Sequence, residues 1–389
     1  MKEKRNITFI IHDRVGGVAY MNHQIIEYGE FMDHYTVRIL LFKQKEDKAD
    51  RFTEKFKAHE VDYFNYSRYD NVYLTLKKLN KIINKKEGIL VTNDGIELQS
   101  IGLFGTRSLV YAIVHDFYNL KLAFGYYNLI DSFICHTEVY TKALKSSGEN
   151  YPGVTYLPHG VKIGEAPLFE EKDRQLKIVF IGRFVESKGV QFLYDIDSRL
   201  KEKQIDVQWI LIGKGPLEQS LKEQWHNKKN VSFLSPAENE EVMNIARDCD
   251  LFVSPSLYEG YGIALLEAMS CGLVPLVYDL PIGISSVLPS DAGFKIPIKN
   301  IEGFVNTIAL LNADRGLLVK IKKNAWQFVA KEYNIIETSK NYLQSFLSNE
   351  NDMAIGSKKI SKKKKSLGLL DKSFLPNIIV VQLKKIMNK

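Results

Sequence analysis

The sequence predicts an α/β protein made of two doubly wound halves, each a parallel sheet covered by helices. Short, continuous apolar runs alternate with segments of helical length, which is the pattern of parallel strands buried on both faces. The alternation stops at residues 164–175, an acidic stretch without periodicity that reads as a linker, and restarts at Leu176. The length of 389 residues fits two domains at roughly 100–200 residues each.

The first half, residues 1–163, starts with an apolar strand that is followed by Gly16-Gly17 and a predicted helix over about 18–31. Residues 73–83 repeat apolar positions at helical spacing and predict another helix. The predicted strands are Ile7–Ile11, Thr36–Phe42, Ile89–Val91, Leu109–Val114, Ser132–Cys135 and Val154–Leu157.

The second half, residues 176–334, repeats this plan. The predicted strands are Leu176–Ile181, Val207–Ile212, Val231–Leu234, Leu251–Val253 and Val274–Tyr278, with helices over 190–200, 302–311 and 317–331. A helix over 335–348 is a candidate to cross back to the first half, and 349–389 form a Lys-rich tail. Ligands of such sheets bind at the carboxyl ends of the strands, and two facing halves imply a cleft for a small molecule.

The net charge of +7 is concentrated at the C-terminal end of the chain. Residues 351–389 hold ten lysines and two acids, a net charge of +8, so the first 350 residues carry a net charge of −1. A nucleic-acid-binding domain needs a basic face of its own. We therefore expect no nucleic-acid partner.

The cysteines indicate a reducing compartment. Cys135, Cys249 and Cys271 are odd in number, widely spaced and flanked by apolar residues, as buried thiols are and a disulfide framework is not. The apolar run near the N-terminus is too short for a signal peptide. No stretch approaches the roughly 20 apolar residues of a membrane span. The expectation is a cytoplasmic body.

The strongest local pattern is Glu259-Gly-Tyr-Gly-Ile-Ala-Leu-Leu-Glu267, which follows a strand. Gly260 and Gly262 make a turn, and the helix that starts near Gly262 offers free N–H groups and a positive dipole end to an anion. The carboxylate of Glu267 suits a vicinal diol such as a ribose. Taken alone, the pair favours a structural explanation, in which Glu259 is a helix-start acid and Glu267 is an ordinary helix glutamate.

A second pattern favours the functional explanation of these two glutamates. Arg183, after Gly182 at a strand end, and Lys188, five residues later, can clamp two phosphates as a guanidinium fork and an ammonium. Glycines that let backbone approach a ligand follow other strands, at Gly213 and Gly215 and at Gly16 and Gly17. His115 ends a strand of the first half.

Together these residues resemble a retaining glycosyltransferase of family 4, a bacterial group 1 type with the GT-B architecture of two facing Rossmann-like domains. The second half carries the family pattern in order, and the run of about 90 residues is highly specific: Gly182-Arg183, Lys188-Gly189, Gly213-x-Gly215-Pro216, Ser254-Pro255-Ser256, Glu259 with Glu267, Ala268-Met269 and Gly272. The first half matches more loosely, through Gly16-Gly17 and His115-Asp116.

The resemblance implies transfer of a sugar from a nucleotide-diphosphate sugar, most simply a UDP-sugar, without a cofactor or metal. Arg183 and Lys188 would hold the diphosphate, and Glu267 the ribose. Glu259 would position the hydroxyls of the donor sugar. The implied donor site also includes Gly182, Gly213, Gly215, Gly260, Tyr261 and Gly262.

The acceptor side is less specified. The resemblance implies that His115 approaches the sugar and that Gly16 and Gly17 line the acceptor and phosphate loop. The family's Asn-Gly-Val-Asp after the last strand of the first half is His159-Gly160-Val161-Lys162 here, and 281–286 lack the acid of the family's Pro/Glu turn. Both departures concern residues near the expected cleft and remove no implied phosphate or ribose ligand.

Several other residues have both a functional and a structural explanation. Asp248-Cys-Asp250 and Asp195-Ile-Asp197 match D-x-D, the metal-binding pair of another glycosyltransferase fold, but Asp248 and Asp250 sit where turn chemistry explains them. A structural turn competes with substrate contact at His12 and Asp13. A structural role is expected for His136, and packing competes with a sugar platform for the aromatic stretch 117–127.

The tail combines the segment 357–366 (SKKISKKKKS) with an apolar end. On a helix after Pro376, apolar side chains share one face: Ile379, Leu383, Ile386 and Met387. Lysines attract anionic lipids, and amphipathic helices bind at the lipid interface. We therefore expect 357–389 to hold the protein on an anionic membrane, at its inner face, next to a lipid-linked glycan acceptor. The alternatives are a solvated tail and docking on a protein.

Two other functions compete with the transferase. A non-catalytic, glycosyltransferase-like partner that only binds a glycan or a protein predicts loss of the diphosphate ligands, which are present in this sequence. A nucleotide-sugar epimerase on the same fold would act on the donor alone and would need carboxylates in the cleft but no tail.

Overall fold

The computed structural model describes residues 4–56, 59–147, 153–235, 238–352 and 368–387. The chain divides into two compact units. Unit 1 comprises Met1–His159 together with Ile336–Lys389, and unit 2 comprises Gly160–Ile335. Each unit holds one parallel sheet flanked by helices, so the predicted α/β class with two Rossmann-like sheets is confirmed.

Unit 1 alternates strands and helices along most of its length. In chain order its elements up to the last strand are β1 (Arg5–His12), α1 (Gly17–Tyr28), α2 (Phe31–His34), β2 (Tyr35–Gln44), β3 (Glu60–Tyr66), α3 (Val72–Ile83), β4 (Gly88–Thr92), α4 (Gly95–Phe104), β5 (Leu109–Val114), α5 (Phe117–Tyr126), β6 (Ser132–Cys135), α6 (Glu138–Lys145) and β7 (Val154–Tyr156).

The sheet of unit 1 has the order β3-β2-β1-β4-β5-β6-β7, with all strands parallel. Strands β4, β5 and β6 are buried along their whole length, which is why the sequence shows them as unbroken apolar runs. The order reverses between β1 and β4. Ligands of open α/β sheets bind beyond the carboxyl ends of the strands at such a reversal.

Unit 2 follows the same plan. Its elements are β8 (Leu176–Ile181), α7 (Leu193–Glu202), β9 (Val207–Ile212), α8 (Glu218–Gln224), β10 (Val231–Leu234), α9 (Asn239–Arg247), β11 (Leu251–Ser254), α10 (Ile263–Ser270), β12 (Val274–Tyr278), β13 (Phe294–Ile296), α11 (Ile301–Ala313) and α12 (Arg315–Glu332). The parallel sheet has the order β10-β9-β8-β11-β12-β13, which reverses between β8 and β11.

Two C-terminal helices belong to unit 1. Helix α13 (Ile335–Asp352) contributes Tyr342, Leu343 and Phe346 to the core beneath β1 and β5. Helix α14 (Asn377–Met387) packs beside the start of α3. Within the described residues, no helix combines the length and apolarity needed to cross a bilayer.

The structure differs from the predicted elements at four places. Strands β3 and β13 were not predicted, because β3 mixes polar with apolar residues and β13 is only three residues long. The predicted helix over 18–31 ends at Tyr28, and Glu30 adopts a left-handed conformation before α2. The predicted helix over 190–200 begins as a 3₁₀ turn, with α7 starting at Leu193.

Candidate functional site

The carboxyl ends of β8 and β11 bring two predicted donor residues into contact. Lys188 lies in a 3₁₀ turn (Glu186–Lys188) after β8, and Glu259 lies in the loop after β11. The Lys188 Nζ donates to Glu259 Oε2 at 2.6 Å, and both side chains are about one-fifth exposed. A cation and a carboxylate, 71 residues apart in the chain, thus meet where the strand order reverses.

Backbone packing fixes the turn that carries Lys188. Gly189 has φ +70°, and a Cβ there would collide with the carbonyl oxygen of Pro255. The Leu257 N–H donates to the Ser187 carbonyl oxygen at 2.9 Å. The position therefore requires glycine, and the turn after β8 is locked onto the loop after β11.

Helix α10 begins beside this pair. Gly262 precedes the helix with φ +91° and, as a glycine, has no side chain of its own to cap the first N–H groups. An uncapped helix start leaves backbone donors and the positive dipole end available to an anion. Of the neighbouring predicted residues, Gly260 is half-buried and Tyr261 is buried.

Arg183 stands apart from the Lys188–Glu259 pair. It follows Gly182 directly after β8, and its side chain is exposed. The Arg183 side chain makes no hydrogen bond or ion pair within the described part of the chain, although the backbone carbonyl oxygen of Arg183 accepts from the Val185 N–H at 2.9 Å. The guanidinium is thus unengaged at the strand end where the sequence places a phosphate ligand.

Gly213 and Gly215 are explained by packing inside the protein. A Cβ at Gly213, where φ is +154°, would collide with the Gly182 carbonyl oxygen, and one at Gly215 would collide with the Phe184 carbonyl oxygen. The Phe184 N–H also donates to the Lys214 carbonyl oxygen at 2.9 Å. The backbone that approaches these two glycines is that of the loop after β8, so they shape the loop that presents Arg183.

Glu267 lies buried inside α10. Its Oε1 accepts a hydrogen bond from Asn239 Nδ2 at 2.9 Å. Burial raises the pKa of Glu267 to about 7, although the Asn239 bond acts in the opposite direction. Near neutral pH the carboxyl group is thus both protonated and ionised in comparable amounts, and it can donate as well as accept. The sequence analysis treated the Glu267 carboxylate as an acceptor and did not single out Asn239.

In unit 1, Gly16 and Gly17 lie at the carboxyl end of β1. A Cβ on either residue would meet nothing within 4 Å. Gly16 is extended, with φ 169°, and α1 starts at Gly17 without a side-chain cap or an acid in its first turn. The space around these glycines and the helix start is therefore open to a ligand.

His115 is the predicted site residue whose surroundings differ most from expectation. It is buried, and both ring nitrogens have protein partners. Nε2 lies 2.7 Å from Asn93 Oδ1, and Nδ1 lies 2.9 Å from His136 Nε2. Burial, and secondarily the neighbours His136 and His159, holds the pKa of His115 well below its usual range. The ring is neutral at physiological pH.

The hydrogen bonds of Asn93 fix the tautomers along this chain. Asn93 Nδ2 donates to the Ile10 carbonyl oxygen at 2.9 Å, so Oδ1 faces His115 and His115 must carry its proton on Nε2. His136 must then donate from its own Nε2, and its Nδ1 lies 2.8 Å from the Tyr342 hydroxyl, which also lies within donating distance of the Leu157 carbonyl oxygen, at 3.0 Å. His136 is structural, as expected, and burial lowers its pKa to about 4.

Glu97 is a buried acid that the sequence analysis did not single out. Its Oε1 accepts from the N–H groups of Asn93 and Asp94, at 2.8 and 2.6 Å, in a capping box at the start of α4. Burial, and then the charge of Asp94, raises the pKa of Glu97 to about 8. The spacing Asp94-x-x-Glu97 is a capping-box signal that the sequence does contain.

The other residues of unit 1 that the sequence analysis discussed are in part structural and in part exposed. Asp13 is buried and accepts from the Phe52 N–H, Thr53 Oγ1 and Arg51, which is a structural turn. His12 is partly exposed. In the aromatic stretch, exposed and buried side chains occur together: Phe117, Tyr118 and Phe124 are exposed and Tyr126 is buried.

The D-x-D carboxylates are engaged by cations of the protein. Asp250 pairs with Arg174 at 2.7 Å and with Lys322 at 3.2 Å, and Asp248 pairs with Lys177. Asp197 accepts from Trp209 and Lys228. The described residues contain no group of three His, Cys, Asp or Glu side chains arranged to hold a metal ion.

Comparisons with known proteins give the fold a name. The Anabaena protein Alr3699/HepE, solved in complex with UDP-glucose, is 16% identical with a TM-score of 0.71 over 90% of this chain and all of that chain. A lipopolysaccharide outer core galactosyltransferase, WaaB, is 16% identical with a TM-score of 0.67 over 88% and 99%. The fold is GT-B.

The family match lies in the half of this GT-B chain that carries Lys188 and Glu259. Residues 166–328 match the family model described as "Glycosyl transferases group 1". An Escherichia coli UDP-Gal:alpha-D-GlcNAc-diphosphoundecaprenol alpha-1,3-galactosyltransferase is 26% identical over 222 residues, 53% of this chain and 55% of that protein.

A Campylobacter jejuni N,N'-diacetylbacillosaminyl-diphospho-undecaprenol alpha-1,3-N-acetylgalactosaminyltransferase is 28% identical over 190 residues, 47% of this chain and 48% of that protein. The chain spans about half the length of these curated relatives. Together with the fold, the matches support a GT-B glycosyltransferase.

Proposed function

We propose that this chain is a retaining, metal-independent glycosyltransferase of family 4 type. It transfers a sugar from a UDP-sugar to a lipid-linked glycan acceptor at the inner face of the cell membrane, in the synthesis of a surface polysaccharide or glycoconjugate. The observation that carries the proposal is the Lys188–Glu259 pair beside the uncapped start of α10.

The diphosphate binds at this end of unit 2 in our proposal. Lys188 and the exposed Arg183 supply positive charge, and the backbone around Gly260, Tyr261 and Gly262 supplies N–H donors. Charges that are already in place are effective for a leaving diphosphate, because they need no reorganisation as its charge develops. Binding of the diphosphate divides Lys188 between phosphate and Glu259, which frees the Glu259 carboxylate for the hydroxyls of the donor sugar.

The ribose binds at Glu267. A carboxyl group with a pKa of about 7 can accept from one hydroxyl of the diol and, when protonated, donate to the other. Asn239 holds Oε1 in place. Gly182, Gly213 and Gly215 complete the donor site by shaping the loop that presents Arg183.

The transfer step exchanges one bond at the anomeric carbon. The bond between this carbon and the phosphate oxygen breaks, and the nucleoside diphosphate leaves. The acceptor hydroxyl oxygen bonds to the same carbon from the same face, and its proton passes to the departing phosphate oxygen. The configuration is thereby retained, and the protein supplies orientation and charge rather than a nucleophile.

On the acceptor side, Gly16 and Gly17 line the acceptor and phosphate loop, where the space around both residues is open. His115 contacts the sugar. Its role is contact rather than proton transfer, because both ring nitrogens already have protein partners. A lipid-linked acceptor is favoured by the two curated relatives, whose names specify diphosphoundecaprenol-linked acceptors, and by the lysines of 357–389.

A nucleotide screen followed by a donor assay tests this function. We expect UDP to raise the melting temperature more than GDP or ADP, and a matching UDP-sugar to be hydrolysed slowly without acceptor and consumed faster with lipid-linked glycan. EDTA should leave the rate unchanged, because the D-x-D carboxylates are already paired with Arg174, Lys177 and Lys322. Strong inhibition by EDTA would contradict metal independence, and UDP binding without turnover of any UDP-sugar would favour the non-catalytic alternative.

A further inference from the structure

Helix α14 is tied to unit 1 by a buried asparagine, Asn71, that lies 306 residues before Asn377 in the chain. Asn71, which is fully buried, caps α3 and donates from Nδ2 to the carbonyl oxygens of Lys372 and Leu375, both at 3.1 Å. The backbone N–H of Asn71 donates to Asn377 Oδ1 at 2.6 Å, and Asn377 Nδ2 donates to Asp70 Oδ1 at 2.9 Å. The start of α14 is therefore docked rather than free.

A second set of contacts fastens the same helix further along. The Lys384 Nζ donates to the Asp70 carbonyl oxygen at 3.0 Å and to Asp371 Oδ1 at 2.7 Å. Asp371 Oδ1 also accepts from the Val72 N–H at 3.0 Å. Val380 is fully buried on the same side of the helix. We call this network of Asp70, Asn71, Asp371, Asn377 and Lys384 the latch.

The exposed residues of α14 are mostly apolar, with Gln382 and Lys385 as the polar exceptions, which is the reverse of an ordinary surface helix. The exposed apolar side chains of this segment are Phe374 (78%), Ile378 (72%), Ile379 (46%), Leu383 (40%), Ile386 (69%) and Met387 (75%). Grouped apolar exposure of this kind marks a surface that binds a partner or a membrane.

The positive charge of the neighbouring sequence favours a membrane over a protein partner. Residues 357–366, just before the latch, hold six lysines and no acid; they lie outside the described residues. Lysines beside an exposed apolar helix are the combination that binds anionic bilayers, the charges attracting lipid headgroups and the apolar face entering the interface.

We propose that α14 is a membrane-docking helix that the latch fixes onto unit 1, so that an anionic lipid bilayer covers its apolar face. The inference deepens the proposed function, on which it rests for its biological purpose, by naming the surface that meets the lipid. The latch forms without lipid. The membrane-binding face is therefore part of the folded acceptor-side unit, and binding orients that unit on the bilayer.

Vesicle flotation of the full chain tests the apolar face. The double variant Ile378→Ser and Ile386→Ser should bind vesicles of mixed phosphatidylglycerol and phosphatidylcholine at least tenfold more weakly than wild type, and wild type should bind pure phosphatidylcholine weakly. The matched control is Leu168→Ser, which removes an equally exposed apolar side chain (77%) from unit 2 and should bind as wild type does. Unchanged binding of the double variant would overturn the proposal.

Two further measurements test the latch itself and distinguish a failure of membrane binding from a failure of donor binding. Hydrogen exchange of the wild-type chain without lipid should show protected amides in 380–387, and an unprotected helix would overturn the latch. Asp371→Ala should reduce that protection, whereas Asp291→Ala, a substitution in unit 2, should not. UDP affinity of the double variant should equal that of wild type, so a failure of donor binding and a failure of membrane binding are told apart.

Discussion

At the scale of single residues, burial decides the protonation state of two acids, one in each unit. Glu267 in unit 2 and Glu97 in unit 1 are both buried, and burial raises the pKa of the first to about 7 and of the second to about 8. The folded protein therefore holds protons on these groups at pH values where the unfolded chain has lost them.

Glu97→Gln should make the protein relatively more stable at high pH. The pKa of Glu97 lies above its usual 4.5 in the folded state, so its favourable contribution is complete below about pH 4.5 and is lost as pH rises towards 8. Glutamine keeps an acceptor for the Asn93 and Asp94 N–H groups and does not titrate. Between pH 5 and 8, the melting temperature of wild type should fall by several degrees relative to the variant, since a pKa shift of one unit is worth about 1.4 kcal/mol. Parallel melting curves across this range would contradict the burial argument.

The sequence predicts the local role of such buried residues but not their burial or their distant partners. The spacing Asp94-x-x-Glu97 signals a capping box, but nothing in the sequence says that the Glu97 side chain is fully buried. Likewise, His115 was correctly placed at a strand end, while its chain to His136 and Tyr342 joins residues up to 227 positions apart. Such partners depend on tertiary packing, which a local pattern does not encode.

At the scale of elements, the turn after β8 is the part on which the donor site depends. Its conformation is held by Gly189, whose φ of +70° and close approach to Pro255 exclude a side chain. The sequence predicted Lys188-Gly189 as the opening of a helix. The structure instead has a short 3₁₀ turn ending at Lys188, followed by a second 3₁₀ turn before α7.

Gly189→Ala should weaken both the fold of unit 2 and UDP binding. The left-handed conformation alone costs a non-glycine residue about 1–2 kcal/mol, and the collision with the Pro255 carbonyl oxygen displaces the turn that carries Lys188. The control is Gly125→Ala in α5, where a Cβ meets nothing within 4 Å and the change should be neutral or stabilising by up to about 1 kcal/mol. Calorimetry and UDP titration measure both effects. If Gly189→Ala melted and bound UDP as wild type does, the locked turn would have no role.

At the scale of the whole chain, the alternation of apolar runs with helical segments was enough to predict two parallel α/β sheets. Continuous runs such as Leu109–Val114 and Leu176–Ile181 carry that signal, because both faces of these strands are buried. The edge strands β3 and β13 escaped prediction, since an edge strand needs neither length nor a continuous apolar run. The docking of α14 on Asn71 escaped it as well, because sequence pattern showed an amphipathic end but not where it packs.

The charge of the chain divides into a nearly neutral body and a basic end, which correspond to the proposed donor-binding and membrane-binding parts. The first 350 residues are nearly neutral, and the last 39 carry a net charge of +8. In our proposals, donor binding depends on a few cations at strand ends in unit 2, whereas membrane binding depends on many lysines and on the exposed face of α14. Mutations in one set should therefore leave the other function intact.

The most direct measurement is the UDP affinity of Lys188→Ala, determined by isothermal titration calorimetry beside wild type and Lys222→Ala. Lys222 is an exposed lysine of unit 2 that pairs with Glu218 one turn away, so its loss controls for charge. A hydrogen bond to a charged group is worth about 1.5–3 kcal/mol. Lys188→Ala should thus bind UDP about 10- to 100-fold more weakly at an unchanged melting temperature, with Lys222→Ala equal to wild type. Equal UDP affinity in all three proteins would contradict a diphosphate site at the Lys188–Glu259 pair.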